Sequence, residues 1–203
     1  MTFTAWLSLF LVCCLGAMSP GPSLAVVLKQ TVNNSRQHGL LTSWTHAAGV
    51  GLWAFATVTG LSLLISQSGQ LFTLITWAGA AYLAWIGVQA IRAGAAGALN
   101  VAASRQMSLL QAGQEGLLIS LLNPKLAIFF IALFSQFVSA DASQADKLIL
   151  IATATLVDGL WYTLVCLVLS RSTVLTRLQR NSQWINRITG LVLLALAIRV
   201  VTL

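Results

Sequence analysis

The sequence predicts an all-α integral membrane protein. It would have six transmembrane helices built from two inverted three-helix repeats, with the first and fourth helices broken at proline motifs. Three observations lead there. Charged residues make up only 7% of the chain against 58% hydrophobic, with a mean hydropathy of +0.87; a soluble domain carries about 25% charged residues, so this chain has too few to solvate a surface. The apolar residues come in long runs rather than the alternation of a β-barrel strand. Two of those runs are interrupted by proline, at Ser19-Pro20-Gly21-Pro22-Ser23 and at Asn123-Pro124-Lys125. Proline lacks a backbone donor and disfavours helix at the residue before it. Non-helical backbone at membrane depth is tolerated only where it is buried in protein or lines a cavity.

A helix needs about 20 apolar residues to cross a bilayer core of about 30 Å. The first helix is expected from Phe3 through the break to Val32, followed by a polar loop from Asn33 to Gly39. The second spans Leu41 to Ile65, with a tight turn over Ser66 to Gln70, and the third spans Leu71 to Arg92. Ala93 to Gln111, rich in small residues and carrying Arg105, reads as a connector. The fourth helix spans Gly113 to Val138 and a polar loop runs from Ser139 to Asp146. The fifth spans Lys147 to Leu169, a basic loop carries Arg171, Arg177 and Arg180, and the sixth spans Trp184 to Val201. Residues 1–203 form a single transmembrane domain on this reading, with repeat 1 at 1–95, the connector at 96–112 and repeat 2 at 113–203.

The two halves align in order. Pro22-Ser23-Leu24-Ala25-Val26 matches Pro124-Lys125-Leu126-Ala127-Ile128, Gly51-Leu52-Trp53 matches Gly159-Leu160-Trp161, and Ala90-Ile91-Arg92 matches Ala197-Ile198-Arg199, with Trp77 opposite Trp184. A repeat with three spans must insert in opposite directions in its two copies. Such inverted repeats are common in secondary transporters, and interrupted helices at corresponding positions point to a midplane binding site. Basic residues sort by side: Lys29, Arg36, Arg92, Arg105, Arg171, Arg177, Arg180 and Arg187 fall on one face, Lys147 and Arg199 with Asp141 and Asp146 on the other. The positive-inside rule then puts both termini outside the cytoplasm.

Several function classes are excluded. The net charge of +7 comes from Lys and Arg scattered through loops, not clustered among aromatics, so no nucleic-acid partner is expected. Cys13, Cys14 and Cys166 make no metal-ligand spacing with histidine and read as small apolar residues packed in helices; no metal and no cofactor is expected. No basic residue precedes the first apolar run, so that segment is expected to stay rather than be cleaved. Nucleophile, zinc-protease and P-loop motifs are missing, a single intramembrane Asp makes no dyad, and no serine is expected in a triad, so the chain is not expected to be an enzyme.

Asp158 is the most informative residue. It falls near the middle of the fifth helix, sharing a face with Thr155 and Tyr162. A charge there costs about 2.5–3.5 kcal/mol on insertion scales, so it should face a cavity or a partner. It is the candidate proton-coupling residue. Lys125, deep in the fourth span, is a candidate for a substrate carboxylate or for pairing with Asp158. The helix starts after Pro22 and Pro124 offer free N–H groups and a partial positive charge to an anionic group. The candidate substrate-binding set is therefore Pro20, Gly21, Pro22, Ser23, Asn123, Pro124, Lys125 and Tyr162. Glu115 is expected near the start of the fourth helix in a structural role, and His46 as an interfacial or hydrogen-bonded histidine with Gly49, Trp53 and Gly60 on its approximate face. Gly49, Gly60, Ala80, Ala84 and Gly87 read as close helix contacts.

These residues carry a resemblance. Ser19-Pro20-Gly21-Pro22, Trp77-Ala78-Gly79-Ala80-Ala81-Tyr82-Leu83 followed by Gly87, Asn123-Pro124-Lys125 followed by Ala132-Leu133-Phe134, and the position of Asp158 together resemble the lysine-exporter / homoserine–threonine-exporter (LysE/RhtB) family of amino-acid efflux proteins. The resemblance implies a multi-pass exporter in the bacterial inner membrane, with amino acids and protons as partners within the lipid bilayer. It leaves room for a homo-oligomer. Two departures stand out: Ser135, where the family often has proline, and no acidic residue around Val50, opposite Asp158 in the repeat. The second favours a neutral substrate such as threonine or homoserine over a basic one. The alternatives are a non-transporting membrane scaffold, which has no need of an intramembrane charge, and an exporter of another small solute such as a metal ion. The mechanism expected is a bundle rocking around a midplane cavity between the repeats.

Overall fold

The computed structural model describes residues 1–19, 21–93, 106–139, 142–169 and 172–202, and among them the regular secondary structure is all helical. Pro20 and the central part of the connector, residues 94–105, lie outside the described residues. Eight α-helices follow in order: α1 (Phe3–Met18), α2 (Pro22–Asn33), α3 (Arg36–Gln67), α4 (Gly69–Arg92), α5 (Leu109–Leu121), α6 (Pro124–Phe134), α7 (Gln144–Leu164) and α8 (Ser172–Thr202). A π-helical stretch, Val165–Leu169, extends α7.

Both proline motifs break a helix. α1 ends at Ser19, whose N–H still reaches the Leu15 carbonyl, Gly21 is extended, and Pro22 occupies the first position of α2. Proline suits that position because its missing donor is one the helix could not use there. At the second break Asn123 caps α6 through a bond from the Lys125 N–H (3.1 Å), and Pro124 again starts the helix. The bends are 60° between α1 and α2 and 54° between α5 and α6. α3, α4 and α7 with its extension are each long and apolar enough to cross a membrane, and each bent pair would make one further, broken span.

Capping side chains set boundaries that apolar runs alone do not give. Ser35 accepts from the His38 N–H and starts α3 at Arg36, before the expected Leu41, so the polar loop shrinks to Asn34 and Ser35. Ser68 alone separates α3 from α4. Reciprocal capping boxes at Ser108/Gln111 and Ser143/Asp146 start α5 and α7 earlier than the hydrophobicity does. α6 stops at Phe134 rather than Val138: Ser135 ends it, its hydroxyl bonding the Ala132 carbonyl (2.9 Å). The expected basic loop before the sixth span is corrected, because the backbone from Ser172 onward is already helical and continuous with Trp184–Val201.

Small residues let the helices approach. α4 packs chiefly on α8, where a Cβ at Gly87 would lie 2.9 Å from the Gly190 carbonyl oxygen. α3 packs on α5 and α7; a Cβ at Gly116 would meet the Thr42 Cα at 2.9 Å, and Gly49 faces Ser120. Ala80 is buried, whereas Gly60 has nothing within 4 Å of where a Cβ would be, so its expected helix contact is corrected. The core runs through Leu9 and Val12 of α1, Val50 and Ala54 of α3, Leu83 of α4, Leu133 and Phe134 of α6, and Leu150 of α7. One end of the bundle is tied by polar contacts: Lys29 pairs with Glu115 at 2.8 Å, Gln30 also bonds Glu115, and His38 Nε2 meets the Met107 carbonyl at 2.9 Å. Glu115 thus sits in the second turn of α5 and answers a lysine, rather than the first-turn dipole expected for it.

Candidate functional site

Three helices bring three polar side chains together inside this apolar bundle. Ser23 is the second residue of α2, directly after the break; His46 lies three turns into α3; Asp158 is in the middle of α7. His46 Nδ1 is 2.7 Å from Asp158 Oδ2, and its Nε2 is 2.9 Å from Ser23 Oγ. His46 is 1% exposed, Asp158 8% and Ser23 9%. Buried polar groups are costly unless each finds a partner, and here a single imidazole satisfies the other two. An ionised carboxylate only accepts hydrogen bonds, so beside it His46 carries its proton on Nδ1 in either charge state. Tyr162, one turn on from Asp158, is buried and packs edge-on to the His46 ring with centroids 5.2 Å apart.

The trio forms part of the wall of a cavity of about 150 Å³, room for a small solute rather than a single water. Both helix breaks border this space. Gly21, Pro22 and Ser23 come from the first, and Asn123 and Lys125 from the second. Val50, Ile86, Phe129 and Leu193 supply apolar wall. The Lys125 side chain makes no ion pair with a described residue and is exposed toward this space.

Of the residues expected from sequence, Gly21, Pro22, Ser23, Asn123, Lys125, Tyr162 and Asp158 line this one cavity. Pro124 lies instead on a neighbouring crevice between α2 and α5, and Pro20 is outside the described residues. Asp158 pairs with His46 and not with Lys125. Thr155 turns away, its hydroxyl bonding the Ile151 carbonyl (2.8 Å) and its side chain packing on Gly51. His46 is a hydrogen-bonded histidine, as expected, but its partners are the residues the sequence singled out elsewhere. The expectation that no serine stands in a triad-like arrangement is corrected: Ser23, His46 and Asp158 are bonded in that order, because the first break turns Ser23 inward. Among the described residues no group of three or more His, Cys, Asp or Glu side chains is placed to hold a metal ion.

Comparison with known proteins bears on this arrangement. A family model described as LysE type translocator matches residues 14–203. The chain is 32% identical over 176 residues to a threonine efflux protein of Salmonella typhi, covering 85% of both chains. It is 31% identical to a homoserine/homoserine lactone efflux protein of Salmonella typhimurium, covering 77% of this chain and 76% of that one. An uncharacterized membrane protein of Bacillus subtilis is 26% identical over 89% of this chain. No solved structure gives a significant match. An apolar helical bundle, broken at two proline motifs that border one cavity and matched over nearly its whole length, belongs to the LysE type translocator family, a family of transporters and not of enzymes.

Proposed function

We propose that this protein is a secondary transporter that exports small neutral amino acids across the bacterial inner membrane, by proton antiport with alternating access. The observation that carries the reading is the Ser23–His46–Asp158 chain of hydrogen bonds on the wall of a cavity that both helix breaks border. The names of the relatives, threonine efflux protein and homoserine/homoserine lactone efflux protein, support amino acids as the substrate class.

An amino acid is a zwitterion, and the cavity offers complementary groups. Lys125 and the N-terminus of α6, where Asn123 and Pro124 start the helix, suit its carboxylate. The start of α2 at Pro22 and Ser23, with Gly21 before it, supplies shape and backbone donors. Asp158 meets the ammonium or exchanges a proton, and Tyr162 closes the wall beside it. Among the described residues Asp158 is the one carboxylate in the cavity lining, and it is already engaged by His46; a basic substrate side chain would find no second counter-ion among them, which favours a neutral substrate.

On this reading the two bent pairs, α3, α4, α7 and the apolar part of α8 make six spans in two inverted repeats, with both termini outside the cytoplasm. The exposure of both Trp77 and Trp184, which match in the repeat, agrees with corresponding lipid-facing positions. Export is tested by loading cells with a panel of amino acids and comparing their release with and without the protein. Faster release of threonine or homoserine is expected. No gain for any amino acid would sink the reading.

A further inference from the structure

The Ser23–His46–Asp158 chain has a direction. Resting on the exporter reading above, we infer that His46 carries the exchanged proton, and that the substrate's ammonium drives it off by taking over the two groups that hold it, Asp158 and Ser23. As imidazolium, His46 donates from Nδ1 to Asp158 and from Nε2 to Ser23 Oγ, using both observed contacts (2.7 and 2.9 Å). As neutral imidazole it keeps the Nδ1 proton on Asp158, and Nε2 must then accept, so the Ser23 hydroxyl reverses and donates to it. Each charge state keeps both His46 ring nitrogens hydrogen-bonded with no side chain moving. That is the property a carrier needs inside an apolar bundle, where an unpaired polar group is costly.

His46 is 1% exposed, so its proton reaches the cavity through its neighbour on the wall. The His46 Nε2–H bond breaks as a Ser23 O–H bond forms, and the proton that Ser23 already held leaves to water in the cavity. Charge and atoms balance: imidazolium becomes imidazole, Ser23 ends as a hydroxyl, and water gains one proton. The other titratable groups facing this point are Tyr162 and Asp158 on α7, Cys13 on α1 and Lys125 on α6.

The same acceptors suit an ammonium. A substrate amine against the Asp158 carboxylate and the Ser23 oxygen replaces the electrostatic partner of the imidazolium and puts a like charge beside it. Proton and substrate are then alternative occupants of one site, which is the condition for exchange rather than co-transport. Asp158 is the shared counter-ion in this scheme, and His46 is the residue whose charge changes.

The test uses the full chain in proteoliposomes with labelled threonine and two readouts, accumulation driven by an imposed pH gradient and threonine–threonine exchange without one. In His46→Gln and His46→Asn the ratio of gradient-driven to exchange transport is expected to fall by about tenfold or more, the size of a typical coupling between sites. Ser23→Ala, which removes the relay hydroxyl, is expected to lower the same ratio. A ratio equal to wild type in both His46 variants overturns the assignment and leaves the exporter reading standing. Loss of both readouts together in both His46 variants also overturns it, since His46 would then serve binding or folding and not the proton. A wild-type protein that neither exchanges nor accumulates any amino acid of the panel contradicts the exporter reading, and the assignment falls with it.

Discussion

A histidine, a carboxylate and a hydroxyl buried in an apolar bundle answer one another, because a buried polar group without a partner is costly. His46 does this for Asp158 and Ser23 at once, so the three are energetically one unit. Replacing either member of the pair alone leaves a buried polar group without its partner, which costs about 1–3 kcal/mol. Asp158→Leu and His46→Phe should each lower the melting temperature in detergent, and the double variant should lose less than the sum of the two, a coupling measured by a double-mutant cycle. Strict additivity would mean that the two side chains do not depend on each other. Asp158 was legible in the sequence, since a lone carboxylate in an apolar span demands a reason. Its partner was not, because 112 residues separate it from His46 and nothing local to either announces the other. A signal did exist: the chain holds two histidines, and only His46 falls well inside an expected span.

The elements are cut by caps and fitted by glycines. Ser35, Ser108 and Ser143 move helix starts by several residues from where the apolar runs put them. Hydrophobicity locates what is buried in lipid, whereas a helix begins wherever its first N–H groups are satisfied. The two breaks were legible for the opposite reason, since proline states its backbone consequence wherever it occurs. Which small residues mark contacts was only partly legible: Gly49 and Gly87 face neighbouring helices, but Gly60 faces open space, and sequence spacing does not tell the bundle side from the lipid side. The same substitution separates the two cases. Gly190→Ala forces a methyl against the Gly87 carbonyl in the α4–α8 crossing and should destabilise by about 1–3 kcal/mol as overpacking. Gly60→Ala meets nothing and, with the better helix propensity of alanine, should be neutral or stabilising by up to about 1 kcal/mol. Thermal unfolding of the two purified variants in one detergent checks both; equal loss in the two would argue against the α4–α8 contact.

The whole molecule is arranged around its interruptions. α1 bends into α2 and α5 into α6 at breaks that border one cavity, and α3 and α7 deliver His46 and Asp158 to its wall. The pair of breaks is unequal. The first places a neutral hydroxyl on the cavity wall, already committed to His46, and the second places a lysine with no ionic partner among the described residues. The architecture was readable as an apolar helical bundle with paired breaks because composition and proline act locally and add up along the chain. The chemistry between the breaks was not, since it is made where α2, α3 and α7 meet. On the proposed function, this buried carboxylate couples a proton to the movement of an amino acid. Proteoliposomes carrying Asp158→Asn test this, with threonine accumulation followed under an imposed pH gradient. The gradient is expected no longer to drive accumulation; unchanged transport that still depends on the gradient would rule Asp158 out as the coupling residue.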